Sequence, residues 1–401
     1  MYEIGQEEID AVAKVIRSGQ MFRYRGGEGG ETDTFEKRMC EKLGAKHFLA
    51  VTNGTAALVC GLAGLEIGPG DEVLVPAYTW LASPAAALEA GAIPVLVECD
   101  ESLTMCPIDL EKKIGPRTKA IMPVHMAGQP CNMDRIMAIA QKHNLKVIED
   151  ACQAVGGSYR GKRLTTIGHV GAFSFNQFKN ISCGEGGGLT TSDTKAYHRA
   201  LIHHDLGSNF RAHVGTLEVP IFLGGNYRFN EILGAIMNVQ LTRLDSILER
   251  LRARKKVFFK ALKPHAAYRQ SPCNDQDGDC AKNYSLLFES VAARTQFTEK
   301  FKEIAPDIGV SSPINSGIHV YSNWKPLIEQ RASYHEGTCA YHHPANKDCR
   351  KITANDCPKT LEILARTVYL PGDITNNDAH FERIAETAFK AANSMQKAAA
   401  V

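Results

Sequence analysis

The stretch GAFSFNQFKNISCGEGGG, residues 171–188, joins a short apolar run to a lysine and then to a cluster of glycines. The run GAFSF has the composition of a β-strand and is bounded by glycine and asparagine. Lys179 follows where the chain would leave the carboxyl end of this strand. A second GEGG occurs at residues 27–30, so the glycines alone do not explain the lysine. Residues in other parts of the chain must explain why a lysine stands here.

Strand-like and helix-like segments alternate from about residue 47 to residue 190. Six short runs hold β-favouring residues between Gly, Pro, Asn or Asp: HFLAVT, EVLVPAY, IPVLVE, KAIMPVH, KVIEDA and GAFSF. The segments between them carry apolar residues at helical spacing, such as Met133, Ile136 and Ala140. This alternation predicts an α/β fold with a mainly parallel sheet, covered by helices on both faces.

A smaller α/β unit is predicted towards the C-terminus. Residues 231–262 carry apolar residues at helical spacing over many turns and predict a long helix, broken once, that leads to this unit. Beyond it, NYSLLFESV and TVYLPGD are typical of strands, and TQFTEKFKEIA and DAHFERIAETAFKAANSM of helices. We predict a large domain at residues 1–245 and a small domain at residues 246–401. The polar segment 336–356 carries no pattern that assigns it to an element.

Composition and charge favour a globular protein with small-molecule partners. Hydrophobic residues make up 44% of the 401-residue chain, and 46 basic against 44 acidic residues give a net charge of +2. Charges spread this evenly form no basic patch that would bind nucleic acid or an anionic membrane. The start MYEIGQEEID lacks the regions of a signal peptide, and no apolar run approaches the ~20 residues that span a bilayer. We expect a cytoplasmic protein that binds neither nucleic acid nor membranes.

Twelve cysteines are scattered singly along the chain, unlike the dense framework of a small secreted protein, and we expect them to be reduced. A zinc site is the alternative for the C-terminal cysteines and two histidines: Cys273, Cys280, Cys339, Cys349, Cys357, His342 and His343. Their spacings, C-x6-C, C-x9-C and C-x7-C, match none of the tight pairs of structural zinc sites. We therefore expect no metal.

The carboxyl ends of the predicted strands hold the candidates for chemistry, because ligands of parallel sheets bind there. The turn VTNGTAAL places the backbone N–H groups of Gly54, Thr55 and Ala56 at the start of a helix. Free N–H groups and the helix dipole favour an anion such as phosphate at this position. Trp80, just past the next strand, either stacks on a flat ring or fills the core.

Asp150 ends a buried strand and needs a positively charged or N–H partner, since a lone buried carboxylate is costly. It either caps a helix or pairs with a protonated ring nitrogen, and Gln153 is close enough in the chain to reach other substituents of such a ring. Ser174 and Lys179 follow the next strand. A lysine in the ligand crevice can form an imine with an aldehyde, because desolvation and neighbouring cations lower its pKa and free its amine.

In chain order these candidates match the groups of pyridoxal 5′-phosphate. The phosphate needs the glycine turn and the Ser174 hydroxyl, and the ring needs the face of Trp80. The ring nitrogen needs the carboxylate of Asp150, which makes the ring an electron sink, and the aldehyde needs Lys179. The combination predicts a pyridoxal phosphate site.

The chain resembles the DegT/StrS family of sugar aminotransferases, which are fold type I pyridoxal phosphate enzymes, over essentially its whole length. The matching strings are NGTAAL, GPGDEVLVPAYTWLAS, VHMAGQP, VIEDACQAVGGSYRGK, GAFSFNQFKNISCGEGGGLTT and GGNYRFNEI. The resemblance implies that Lys179 carries the cofactor as an imine, that Asp150 partners its ring nitrogen, and that Gln153 contacts its ring hydroxyl.

The resemblance also implies how the rest of the cofactor is held. It assigns phosphate contacts to Gly54, Thr55 and Ser174, and stacking on the ring to Trp80. It further implies that Asn226 reaches the phosphate in the neighbouring subunit. A homodimer with shared active sites follows from that assignment.

The substrate side is indicated by two parts of the resemblance. Arg23 and Tyr24 lie in the segment that lines the substrate pocket in relatives, where they either meet the substrate or begin a flexible glycine loop. Further candidates for substrate contacts are His125, Glu185, His319 and Tyr321. The strings HVYSNWKPL and NDCPKTLEILARTVYLP resemble the subgroup that aminates the terminal carbon of an eight-carbon 3-deoxy-octulosonate.

These features predict a transaminase that moves an amino group from L-glutamate or glutamine to a keto or aldehyde carbon of a sugar, with 8-oxo-3-deoxy-octulosonate and a nucleotide-linked keto-sugar as the two candidates. An aminotransferase for keto-cyclitols and a synthase that aromatises a cyclic keto acid remain alternatives, as does a regulator that binds the cofactor without catalysis. A dehydratase of the same fold replaces the lysine with histidine, and the presence of Lys179 argues against it.

Overall fold

The structure is a computed structural model and describes residues 2–24, 29–207 and 216–395. Within these ranges the α-helices, α1 to α12 in chain order, are Gln6–Ser18, Glu31–Leu43, Gly54–Gly64, Ala82–Glu89, Pro107–Lys113, Met133–Lys142, Thr194–His204, Glu231–Ala261, Val291–Ile304, Lys325–Ile328, Pro358–Ala365 and Asp378–Asn393. The strands, β1 to β12, are His47–Val51, Glu72–Pro76, Ile93–Val97, Thr118–Ile121, Lys146–Asp150, Ser158–Tyr159, Lys162–Arg163, Val170–Ser174, Gly187–Thr191, Tyr268–Gln270, Asn283–Phe288 and Thr367–Pro371. None of the helices in the described ranges combines the length and apolar character that crossing a bilayer requires.

A seven-stranded sheet forms the centre of the larger part of the chain, in the order β1-β9-β8-β5-β4-β2-β3. The strands from β8 to β3 pair in parallel, whereas β9 is antiparallel to both of its neighbours. The predicted α/β fold with a mainly parallel sheet is confirmed, and all six predicted strands are present. The sequence prediction missed β9, because its run GGLTT contains a single large apolar residue.

Helices cover both faces of this sheet. Successive residues of β1 point to opposite sides, so Phe48 and Ala50 join one hydrophobic core while Leu49 and Val51 join another. Strands with two buried faces read as continuous apolar runs rather than as alternating ones. The uniformly buried β2 and β3, with the sequences EVLVP and IPVLV, show this pattern.

Polar residues in the sequence fix where several helices begin. The side chain of Asn53 caps α3 by accepting a hydrogen bond from the N–H of Ala56. Asn230 caps α8 and Asn377 caps α12 in the same way. Each cap satisfies an N–H group that has no partner inside its helix. The cap of α3 determines the position of the glycine turn at the sheet edge.

The long helix α8 is continuous over 31 residues, so the predicted break is wrong. It contains no proline, and after Gly234 no glycine, that would interrupt it. Leu244 and Leu248 pack in the first core of the large sheet. Phe258, near the other end, packs in a third core with the antiparallel sheet β10-β11-β12 and with α9 and α12. One rigid element therefore joins the two packed units.

The segment 336–356, which the sequence left unassigned, packs against the edge of the large sheet. The side chain of Asn346 accepts a hydrogen bond from the N–H of Gly70 at 2.6 Å and donates one to the carbonyl of Gly91 at 2.8 Å. Arg350 forms an ion pair with Glu72 at 2.5 Å. These contacts attach the segment to the loops around β2 rather than to the small sheet.

The cysteines considered for zinc do not converge. Cys339, Cys349 and Cys357 are buried in an apolar cluster with Trp324, whereas Cys280 belongs to the first core. All twelve cysteines are unpaired. Among the residues that the structure describes, no three His, Cys, Asp or Glu side chains gather in a way that could hold a metal ion.

Glu149 organises the chain that leads into β8. Its side chain is fully buried. The carboxylate accepts hydrogen bonds from the N–H groups of Thr165 at 2.9 Å, Ile167 at 2.8 Å and Gly168 at 2.6 Å. A buried carboxylate with several backbone donors stabilises one conformation of the loop that supplies them.

We predict that Glu149→Gln destabilises the fold by about 2–4 kcal/mol, because an amide has one acceptor oxygen and its NH2 group would face backbone donors. Urea denaturation at one fixed protein concentration, without added ligand, measures the change in the free energy of unfolding. Glu289→Gln, at an exposed position, is the matched control and should leave the free energy unchanged. Equal stability of the two variants would contradict the role given to Glu149.

Candidate active site

The carboxyl ends of β1, β2, β5 and β8 surround a cavity of about 680 Å³ at one edge of the large sheet. This volume is typical of a site for a small molecule. Ten of the predicted site residues line it: Gly54, Thr55, Ala56, Trp80, Asp150, Gln153, Ser174, Lys179, Glu185 and His319. The others lie off its wall: Arg23, Tyr24, His125, Tyr321 and Asn226. Residues 25–28, which include the start of the first GEGG, are outside the described residues.

One end of the cavity is the N-terminus of α3. The N–H of Ala56 is already used, since it donates to Asn53 Oδ1 at 2.8 Å. The N–H groups of Gly54 and Thr55 have no acceptor among the described residues. Free donors at the positive end of a helix dipole form a binding site for an anion.

Glycines allow the chain to close tightly around this turn. A Cβ added to Gly54 would lie 2.8 Å from Cys152 Sγ and 2.9 Å from Ser174 Cβ. A Cβ on Gly187, at the start of β9, would lie 2.3 Å from the carbonyl carbon of Asn53. The glycine cluster that follows the lysine therefore lets β9 approach the anion-binding turn, which a larger residue would prevent.

Asp150 is held at the end of β5 with its carboxylate on the cavity wall. It is 4% exposed. Its Oδ2 accepts a hydrogen bond from Ser83 Oγ at 2.7 Å, and its Oδ1 accepts one from the N–H of Cys152 at 3.0 Å. Thr79 Oγ1 lies 2.7 Å from Ser83 Oγ, and since the Ser83 proton points to the carboxylate, Thr79 is the donor of that bond. This chain of hydroxyl groups fixes the orientation of the carboxylate.

Lys179 lies on the loop between β8 and β9 and is half-buried. Its backbone N–H donates to the carbonyl of Asn176 at 3.0 Å, and the hydroxyl of Ser182 donates to the carbonyl of Phe175 at 3.1 Å. The side chain of Asn180 donates to the carbonyl of Val155 at 3.0 Å. These bonds anchor the loop on both sides of the lysine, so its amine is presented from a fixed backbone.

Two aromatic side chains form another part of the wall. Trp80 is 47% exposed, so it does not fill the core, and its ring centre lies 4.9 Å from that of His319. His319 Nδ1 lies 2.9 Å from the carbonyl of Ser316, so Nδ1 carries the proton and Nε2 is an acceptor. Burial, with a smaller contribution from the charge of Lys179, lowers the pKa of His319. The ring is therefore neutral at neutral pH.

Gln153 and Glu185 provide polar groups at the rim. Gln153 Oε1 accepts a hydrogen bond from the N–H of Ala127 at 3.1 Å, which fixes the amide and leaves its NH2 group to donate. Glu185 is exposed and borders the opening. Both can meet a hydroxyl or another polar group of a bound molecule.

Arg23 and Tyr24 are engaged within the large unit. Arg23 is 5% exposed and forms ion pairs with Asp33 at 2.5 Å and Glu36 at 2.7 Å. The hydroxyl of Tyr24 lies 2.9 Å from His204 Nε2. Two carboxylates already balance the charge of Arg23 in this chain, and neither side chain is on the cavity wall.

His125 lies behind the cavity rather than in it. Its backbone N–H donates to the carbonyl of Asp150 at 2.9 Å, and its ring is fully buried. Nδ1 accepts a hydrogen bond from the N–H of Cys131 at 3.1 Å, so Nε2 carries the proton and donates to Glu149 at 3.2 Å. In this position His125 supports the strand end that carries Asp150.

Two more predicted residues lie away from the wall. Tyr321 is buried, and its hydroxyl donates to the carbonyl of Ala354 at 3.0 Å. Asn226 is exposed and pairs through its backbone with Asp205. The cavity of this chain is thus formed without either side chain.

The sequence prediction missed several residues on or behind the cavity wall. Ser83, which lies behind the wall and orients the carboxylate of Asp150, follows Trp80 by three residues. Tyr227 donates to Glu89 at 2.8 Å, and both line the wall. Lys282 reaches the same cavity from just before β11 in the small unit, and no sequence pattern links it to the large sheet.

Comparison with known proteins identifies relatives of the chain. A sequence profile of the DegT/DnrJ/EryC1/StrS aminotransferase family matches residues 2–388. GDP-perosamine synthase of Caulobacter vibrioides is 46% identical over 226 residues, which cover 56% of this chain and 58% of that protein. The dTDP-3-amino-3,6-dideoxy-alpha-D-galactopyranose transaminase of Aneurinibacillus thermoaerophilus is 40% identical over 250 residues, 62% of this chain and 66% of that protein. The alignments thus span less than two thirds of each relative.

Among solved structures, that of 3-amino-5-hydroxybenzoic acid synthase is similar over 98% of both chains, with a TM-score of 0.78 and 25% sequence identity. The similarity therefore extends through both packed units, beyond the region that aligns with the two relatives. Because the family profile also matches nearly the whole sequence, this chain belongs to the DegT/DnrJ/EryC1/StrS aminotransferase family.

Proposed function

We propose that this protein is a pyridoxal phosphate-dependent aminotransferase that moves an amino group from an amino acid to a keto or aldehyde carbon of a sugar. The observation that carries the proposal is that one cavity contains the carboxylate of Asp150, the amine of Lys179 and the open N–H groups of Gly54 and Thr55. Membership of the family and the two sugar-modifying relatives support the same activity.

The donors and acceptors of the cavity fit pyridoxal phosphate. The N-terminus of α3 and the hydroxyl of Ser174 suit its phosphate, and the absence of a side chain at Gly54 lets Ser174 lie beside this turn. The carboxylate of Asp150 suits a protonated ring nitrogen, and the face of Trp80 suits the ring. When bound, the cofactor supplies an electron sink that stabilises negative charge on a carbon that loses its proton.

Three side chains of the cavity have separate roles in the proposed reaction. Asp150, oriented by Ser83 and Cys152, keeps negative charge at the ring nitrogen. Lys179 would hold the cofactor, and its Nζ would be the base that removes the proton from the α-carbon of the donor. The neutral ring of His319 offers an acceptor nitrogen for a substrate hydroxyl.

For the acceptor we favour a nucleotide-linked keto-sugar. GDP-perosamine synthase is 46% identical to this chain over 226 residues and the dTDP-sugar transaminase 40% over 250 residues, whereas 3-amino-5-hydroxybenzoic acid synthase is 25% identical over 98% of the chain. An 8-oxo-3-deoxy-octulosonate acceptor rests on the resemblance of C-terminal strings alone. Keto-cyclitols and an aromatising reaction have weaker support, and the presence of both Lys179 and Asp150 argues against a non-catalytic regulator.

A screen of acceptors tests this choice. Glutamate and glutamine should be offered as donors with GDP- and dTDP-linked keto-sugars, a keto-cyclitol and 8-oxo-3-deoxy-octulosonate, and products identified by mass spectrometry. Amination of a nucleotide-linked keto-sugar is the expected result. Turnover of the cyclitol or the octulosonate alone would show that the acceptor has been assigned to the wrong class.

We predict that borohydride reduction of the cofactor-loaded protein attaches the cofactor to Lys179. The cavity contains a second lysine, Lys282, so peptide mapping by mass spectrometry distinguishes two real candidates. Lys179→Ala should bind the cofactor loosely and should not turn over. A label on Lys282 would overturn the assignment of the cofactor lysine.

We predict that Asp150→Asn lowers kcat at saturating cofactor by about 100-fold or more, because a neutral amide no longer favours the protonated ring that accepts negative charge. The amide can still accept from Cys152, so cofactor affinity should change much less than turnover. Steady-state kinetics and a cofactor titration measure the two effects separately. Unchanged kcat would remove Asp150 from the mechanism.

We further propose that the protein is a homodimer whose active sites are shared. The support is that Asn226, which the family resemblance assigns to the phosphate, is exposed and lies off the cavity wall of its own chain. A side chain in that position can complete the site of a second subunit across an isologous interface.

Mixing two inactive variants, Lys179→Ala and Asn226→Asp, tests the sharing. Each mixed dimer would contain one site with both lesions and one intact site. Random exchange makes about half of the dimers mixed, so about a quarter of wild-type activity should return. We expect Asn226→Asp to be inactive, because the negative charge of the aspartate repels the phosphate of the cofactor. A tagged pull-down verifies that subunits have exchanged. If they have and no activity returns, the site is not shared through Asn226.

A further inference from the structure

Lys282 is a second lysine in the cavity, and it enters from the small unit. The side chain is 9% exposed and lies on the cavity wall. Its stem passes Gly128, where an added Cβ would lie 3.4 Å from Lys282 Cδ and 2.9 Å from Cys280 Cβ. Gly128 has a φ of +91°, which also favours glycine. The backbone of the large unit is thus shaped so that this lysine can reach in.

The ammonium of Lys282 has no carboxylate partner among the described residues. Two of the acids on the cavity wall have partners of their own, since Asp150 accepts from Ser83 and Glu89 accepts from Tyr227. Burial, and to a lesser extent the charge of Lys179, lower the pKa of Lys282 to about 8. The group is still mainly protonated at pH 7. A buried cation of this kind is costly unless an anion binds to it.

Lys282 contacts a different loop from the turn assigned to the cofactor phosphate. It packs on Gly128, and the preceding residue, Ala127, donates to Gln153. The anion-binding turn belongs to a different loop, at the start of α3. Lys179 lines the same cavity as Lys282, and its charge is a smaller cause of the lowered pKa of Lys282. An anion at Lys282 would therefore lie near the amine that reacts rather than at the phosphate.

An amino-acid donor brings an anion to this place. Its α-carboxylate is bonded to the same carbon as its amino group, so the carboxylate must lie close to the point where Lys179 acts. A sugar-acid acceptor can bring a carboxylate into the same cavity in the second half-reaction. Both sources share one chemistry, and a buried ammonium that makes charge-assisted hydrogen bonds suits either.

We infer that Lys282 is the residue that binds a carboxylate of the substrate, and that it contributes to the choice of substrate. The inference rests on the proposed aminotransferase function, whose residues it extends. Lys282 is not assigned to the cofactor or to proton transfer, so its loss should affect substrate binding more than the rate of the chemical step.

The test uses Lys282→Met, which keeps the stem that packs on Gly128 and removes the charge, and Lys282→Arg, which restores a charge. Lys256→Met, at an exposed position of α8, is the matched control. The donor half-reaction with L-glutamate is followed by the absorbance of the bound cofactor. We expect Lys282→Met to raise the apparent Kd for glutamate by about 10- to 100-fold, with a limiting rate close to that of wild type, and the arginine to recover part of the affinity.

A second measurement does not depend on turnover. Glutarate carries carboxylates but no amino group, and its binding to the cofactor-loaded protein can be followed by calorimetry, with glutaramide as the neutral control. Wild type and Lys256→Met should bind glutarate more tightly than glutaramide. Lys282→Met should lose this preference.

The two half-reactions distinguish the source of the carboxylate. If Lys282→Met loses affinity for glutamate only, Lys282 binds the donor. If it loses affinity only for 8-oxo-3-deoxy-octulosonate, and not for a neutral keto-sugar, Lys282 binds the acceptor. Unchanged binding of glutamate, octulosonate and glutarate in Lys282→Met overturns the inference. A wild-type protein that converts no donor would instead overturn the proposed function, and the glutarate titration would still decide whether Lys282 binds carboxylates.

Discussion

The parallel register of β5 and β8 is the constraint on which the active site depends. Asp150 pairs with Ala172 across these strands, so β5 ends on Asp150 beside the strand that ends on Ser174 and leads to Lys179. Side chains alternate between the faces of a sheet, and a shift by one residue would turn each of them to the other side. The buried cores on both faces of the sheet exclude such a shift. Packing far from the cavity thereby determines which groups meet inside it.

The same edge concentrates charges that the protein only partly compensates. Asp150 receives hydrogen bonds from a hydroxyl and a backbone N–H, but no cation pairs with it among the described residues. The N–H groups of Gly54 and Thr55 and the amine of Lys282 lack acceptors within the described ranges. Charged or polar groups without a partner reduce the stability of a fold, and a ligand of complementary charge recovers that free energy when it binds. We infer that the charges left uncompensated by folding select the ligands of this cavity.

The sequence predicted those features that depend on neighbours in the chain. Apolar runs located the parallel strands, and a residue at the end of a strand reaches the ligand edge whatever the rest of the fold does, which is why Asp150 and Lys179 were found. The sequence did not predict features that depend on contacts with residues far away in the chain. The glycine-rich β9 is a strand because β1 and β8 flank it, and α8 stays continuous because it is packed along both units. Ion pairs such as that of Arg23 with Glu36 are visible only in the fold.

Lys282 belongs to the small unit and yet lines the cavity at the edge of the large sheet. It precedes β11, whose sheet packs with the C-terminal part of α8, while the N-terminal part of α8 packs on the large sheet. A continuous helix without proline connects the two units, and the N–H of Cys280 donates to the carbonyl of Gly128, so the helix and a direct contact together fix where Lys282 enters the cavity. In the roles that we propose, Lys179 acts on the reacting carbon of the substrate, and Lys282, from the other unit, binds its carboxylate. A break in α8, as the sequence alone suggested, would have removed the first of these two connections.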